Sequence, residues 1–86
     1  MNEKEALQAI KNAMMLVNED VAQRLTMDSD LVSEDGLDSL ALVEFTFELE
    51  NELDTELQEI DEHFNDLKIS TLVRIIVDET SGSVQN

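Results

Sequence analysis

At 86 residues the chain can form one small domain but not two that each bury a core, which excludes an elaborate multidomain enzyme within it. It has no cysteine, so disulfides, thiolate metal sites and cysteine nucleophiles are excluded as well. Its 5 Lys and Arg against 21 Asp and Glu give a net charge of −16, a field that repels nucleic acid and anionic membranes and attracts basic protein surfaces.

That charge is compatible with folding because 42% of the residues are apolar and recur at helical intervals. There is no proline, and the only glycines are Gly36 and Gly82. The expected class is therefore all-α: a small four-helix bundle with three longer helices, one short helix and a long first loop. The charged start Met1–Glu5 is unlike a signal peptide, and no run of about 18 apolar residues occurs. The expectation is a cytoplasmic monomer with no membrane insertion.

In chain order, Leu7, Ile10, Met14 and Val17 share one face and predict a first helix from about Glu3 to Asn18, with Met14 and Met15 filling core space. Residues 19–38 lose the period and gather Asp, Ser and Gly36, which reads as a long connection pinned by Leu25, Leu31 and Val32, with a turn of helix near Val21 to Leu25. The period returns at Ser39, where Leu42, Phe45, Leu49 and Leu53 mark a second long helix ending near Leu53 with Asp38 as its N-cap. Leu57, Ile60, Phe64 and Leu67 suggest a short third helix about Asp61 to Asn65. Ser70 or Thr71 is the expected cap of a last helix reaching Glu79, whose β-branched run would as a lone strand have no partner. The domain is expected over residues 1–80, with 81–86 a flexible tail.

Chemistry concentrates at Gly36-Leu37-Asp38-Ser39-Leu40, where the long loop feeds a helix and the Ser39 hydroxyl meets unpaired backbone N–H groups that favour a phosphate. Taken alone, the tripeptide Asp38-Ser39-Leu40 reads as helix capping, since Ser and Asp are the commonest caps. Its surroundings add to it. Residues 34–80, and less closely the rest, resemble the acyl carrier protein family in acidity, size, the Gly-x-Asp-Ser-Leu signature after a long loop and the acidic amphipathic helix behind it. Glu50–Leu57 is similar to the family's segment leaving that helix. The resemblance implies that Ser39 receives 4′-phosphopantetheine from coenzyme A through a phosphopantetheinyl transferase, with Asp38 and Leu40 as flanking recognition residues. It further implies a carrier that holds acyl groups as thioesters and delivers them to acyl-processing enzymes in fatty acid, polyketide or related biosynthesis, with no catalytic machinery of its own. In that family the helices part to admit the acyl chain, and Leu42, Phe45, Thr46, Leu49, Leu67 and Ile75 are the matching candidates for lining the space.

Delivery requires recognition. Between Arg24 and Lys68 the chain holds 15 acidic residues and no Lys or Arg. On the second long helix Leu40, Glu44, Phe47, Glu48 and Asn51 fall on one side, away from the apolar stripe, with Glu50 at the margin. These are the candidate partner-binding residues, Glu44 and Glu50 pairing with Lys or Arg on a partner and Phe47 with Leu40 forming an apolar centre. The alternative for Phe47 is an inward, core position.

Ala41 after Ser-Leu, Gln58 where a proline is common, Leu37 before Asp38 and the divergent segment 59–66 depart from the housekeeping fatty-acid pattern and favour a specialised carrier of polyketide, modified-lipid or aminoacyl groups. Two alternatives stay open: an aminoacyl or peptidyl carrier, and an acidic helical interaction module in which Ser39 is only a cap. An enzyme is disfavoured because His63 is the only imidazole and no motif pairs it with Ser39. Asp28 and Asp30 begin like an EF-hand, but Val32, Ser33 and Ser39 stand where its third acid, glycine and closing glutamate belong, so no metal site is expected.

Overall fold

A computed structural model of the chain describes residues 1–31, 36–55 and 68–81. Four helices run through them: α1 (Glu3–Val17), α2 (Glu19–Arg24), α3 (Ser39–Leu53) and α4 (Ile69–Ser81). Among the described residues there is no strand, only an isolated antiparallel bridge between Asp30 and Lys68. The all-α class and the set of three longer helices with one short one are as expected from sequence. The short helix, however, is α2; the one expected about Asp61 to Asn65 lies outside the described residues, as do Val32, His63 and Leu67.

α1 starts on a reciprocal cap, in which the Asn2 side chain accepts from the Glu5 N–H at 2.8 Å and Glu5 Oε1 accepts from the Asn2 N–H at 3.1 Å. It ends one residue earlier than expected, because Asn18 is extended and serves both neighbours. The Asn18 N–H donates to the Met14 carbonyl at 2.7 Å, while its side chain accepts from the Val21 N–H at 3.2 Å. The second bond starts α2 at Glu19, two residues before the expected turn, and Glu19 and Asp20 in the first turn with Arg24 in the last suit the helix dipole.

The buried face of α1 is centred on Ala6, Ala9, Ile10, Ala13 and Met14, and the expected stripe residues Leu7 and Val17 flank it as half-buried contacts. Alanines carry little weight in a hydrophobic period, yet their small side chains let neighbouring helices approach closely. Here α1 is the central element, and α2, α3 and α4 each make their main helix contact with it. Met15, expected in the core, is instead exposed, one position off that face.

Leu25 and Leu31 are buried and pin the connection after α2, as expected. The same connection corrects the start of α4. Its first two amides are taken by main-chain carbonyls, Ile69 N–H donating to Ser29 O at 2.8 Å and Ser70 N–H to Met27 O at 3.1 Å. Neither Ser70 nor Thr71 is the cap; both lie inside the first turn, two of whose orphan donors those carbonyls satisfy. The β-branched run is helical, as expected, and buries Ile69, Leu72, Val73 and Ile76 at spacings of three, one and three. α4 passes Glu79 and ends at Ser81, so Ser81 belongs to the helix rather than the tail, while residues 82–86 lie outside the described residues.

Candidate functional site

The five residues leading into α3 have distinct roles. Gly36 has φ +65°, a left-handed conformation in which other L-residues are strained, and it turns the chain toward the helix. Leu37 donates its N–H to Leu31 O at 3.0 Å and packs, half-buried, against the core cluster that contains Leu42. Leu37 and Leu42 occupy the positions of a hydrophobic staple, which sets the angle of entry into the helix. Leu37, a departure from the family pattern at the sequence level, thus has a local structural reason to be apolar.

Asp38 is the N-cap. Its Oδ1 accepts from the Ala41 N–H at 2.8 Å and its carbonyl from the Leu42 N–H at 3.0 Å. Ser39 follows at the first helical position, exposed, and its hydroxyl hydrogen-bonds to no described residue. The capping bond is thus made by Asp38, as expected from the sequence, and Ser39 takes no part in it. Replacing Asp38 by alanine is expected to lower stability by about 1 kcal/mol, the usual value of an N-cap, measured as a shifted urea midpoint at unchanged m-value.

From this start α3 shows two faces. Leu42, Phe45, Thr46 and Leu49 are buried, with the Thr46 hydroxyl satisfied by donation to Leu42 O at 2.8 Å. Leu53 is half-buried against the same core. On the other face Leu40, Glu44, Phe47 and Asn51 are exposed, and Glu48 and Glu50 are half-buried. Phe47, at 61% exposed, points to solvent, so the inward position weighed at the sequence level is not adopted.

Of the six expected cavity residues, Leu42, Phe45, Thr46 and Leu49 come together on α3. Ile75 is also buried, but on α4 and outside the main core cluster that holds Leu42, Phe45 and Leu49. Leu67 lies outside the described residues. The site also contains residues that the period did not flag. Val43 is 52% exposed and completes an apolar line with Leu40 and Phe47 at spacings of three and four; Leu16 at the end of α1 is exposed and shares a cleft with Phe47. Leu16 and Val43 are both large apolar residues out of phase with the buried stripe of their own helix, and that is the signal that could have found them.

No helix among the described residues is long and apolar enough to cross a membrane, and none of their His, Asp or Glu side chains form a group of three that could hold a metal. Compared with protein-family models, with curated proteins and with solved structures, the chain finds no match, and the chemistry assigned to the site therefore rests on its own residues.

Proposed function

We propose that the protein is a carrier that bears 4′-phosphopantetheine on Ser39 and presents acyl intermediates, bound as thioesters, to partner enzymes. The observation that carries this reading is the division of labour at the start of α3, where Asp38 makes the capping bond and Ser39 is left exposed with a hydroxyl that bonds to no described residue. The residues fit the cofactor. A phosphodiester on Ser39 would lie beside helix N-terminal amides that lack intrahelical acceptors, and the exposed position gives a long arm room to swing. Leu40, 69% exposed, is free to meet a transferase.

In the loading step the Ser39 oxygen attacks the pantetheine-side phosphorus of coenzyme A. A new O–P bond forms, the bond to adenosine 3′,5′-bisphosphate breaks, and the hydroxyl proton passes to a base on the transferase. Once attached, the cofactor supplies a thiol that activates acyl groups as thioesters. The chain's own residues hold the attachment point on a rigid helix and offer an acidic surface to basic partners. An acyl chain on the arm would enter beside Leu42, Phe45, Thr46 and Leu49, the buried apolar side of the helix that carries the attachment point.

The test is direct. Incubated with coenzyme A, Mg²⁺ and a broad-specificity phosphopantetheinyl transferase, the protein is expected to gain the mass of one phosphopantetheine; an unchanged mass with several transferases would favour the acidic interaction module instead. Glu44→Lys is expected to slow loading roughly tenfold at low salt, because a charge on an exposed docking face acts mainly on the encounter rate. Far-UV circular dichroism should stay unchanged, and a loading rate equal to that of the wild type would remove Glu44 from the interface.

A further inference from the structure

We propose that Leu37 is a positioning residue for the loading of Ser39: it fixes the first turn of α3 on the core, so that the serine hydroxyl meets the transferase in one orientation. This rests on the carrier reading, and it gives a role in the reaction to a residue that departs from the pattern of the family the chain resembles.

The exposed turn cannot fix its own place. Ser39 and Leu40 are exposed and Ala41 is half-buried, so no fully buried side chain anchors α3 before Leu42. Helix ends lack intrahelical partners and open more readily than helix centres. The Asp38 carboxylate closes the turn by accepting from the Ala41 N–H, but donor and acceptor both belong to the start of α3. That bond therefore sets the internal shape of the turn and not its position on the protein. Leu42 holds the turn on its C-terminal side, and an anchor is needed on the other.

Leu37 supplies that anchor twice over. Its side chain packs against the core cluster that holds Leu31 and Leu42, and its N–H donates to Leu31 O at 3.0 Å. The acceptor is itself well fixed. Leu31 is fully buried, and the residues just before it are joined to the start of α4, where Ser29 O accepts from the Ile69 N–H at 2.8 Å and Asp30 bridges to Lys68. Leu37 thus ties the Ser39 end of α3 to the core and to α4, two residues before the hydroxyl. The consequence is kinetic. Attack on phosphorus needs the oxygen held to about half an ångström, and a misplacement of about 1 Å can cost roughly a hundredfold in rate. Glu44 lies beyond Leu42 on α3, so loss of Leu37 leaves that recognition residue in place. The loss should therefore appear in kcat rather than in KM.

The test follows loading of the full chain by coenzyme A, Mg²⁺ and a phosphopantetheinyl transferase. Leu37→Ala is expected to lower kcat roughly tenfold while KM for the carrier stays within about twofold. Leu37→Met keeps the apolar contact and should restore kcat to within about twofold of the wild type. Val21→Ala truncates a buried side chain on α2 and controls for lost stability; under conditions where circular dichroism shows it folded, it should load at the wild-type kcat. A readout without the enzyme is amide hydrogen exchange, which in Leu37→Ala should quicken roughly tenfold more at Ala41 and Leu42 than at Leu49. Should Leu37→Ala not fold, Leu37→Val carries the same comparison. Unaltered kcat in a folded Leu37 variant overturns the proposal and leaves the carrier reading standing. A rise in KM alone overturns it too, by making Leu37 a contact for the transferase, as does an equal fall of kcat in Val21→Ala. Wild-type protein that several transferases fail to load removes the carrier reading, and this role with it.

Discussion

Ser39→Ala is expected to abolish phosphopantetheine loading completely while leaving the fold intact, and this is the largest single effect anticipated for the protein. The chemistry admits no partial result, because alanine has no oxygen to form the phosphodiester. The structural side is equally definite. Ser39 is exposed, its hydroxyl bonds to no described residue, and it occupies the first helical position, where alanine is well tolerated. The capping bond from Asp38 Oδ1 to the Ala41 N–H does not involve it. Intact-mass measurement after transferase treatment should therefore separate wild type from variant, while their circular dichroism spectra and urea midpoints coincide. Loading of the alanine variant would place the modification on another residue. A variant that unfolds would mean that Ser39 is structural, and the division of labour between Asp38 and Ser39 would fail with it.

Phe45→Ala is expected to destabilise the domain by about 3–5 kcal/mol, the range for truncating a buried aromatic side chain and leaving a cavity behind. Phe45 is fully buried on α3, and the core cluster it joins draws on all four helices. A chain of this length has about 4–13 kcal/mol of stability in total, so the loss takes up much or all of it. Urea denaturation should show a midpoint far below that of the wild type or no cooperative transition at all. Phe47→Ala is the matched control. It removes the same side chain two residues on, from the exposed face, and should leave the midpoint nearly unchanged. If the two variants lose equal stability, the assignment of the two faces of α3 is wrong.

The two variants also illustrate how much of the site was legible in the amino-acid sequence. Leu42, Phe45 and Leu49 recur at three and four, and that interval already separates them from Leu40, Glu44, Phe47 and Asn51. The limits of α3 and its cap were legible for the same reason, since the Asp38 carboxylate needs to reach only three residues ahead. At α4 the same logic misled. Ser70 and Thr71 are good caps by type, but the carbonyls of Met27 and Ser29 reach the amides first.

By itself, then, the amino-acid sequence determined what depends on neighbours within one or two helical turns: the all-α class, the faces of α3, the Asp38 cap and the position of Ser39 at a helix start. Only the tertiary structure decided how α1 uses its alanines to become the central helix, how a loop caps α4, why Met15 lies outside, and that Leu16 and Phe47 border one cleft. The physical reason is range. Capping bonds and hydrophobic periods act between residues close in the chain, whereas packing and surface clefts join side chains whose adjacency exists only after the helices have docked.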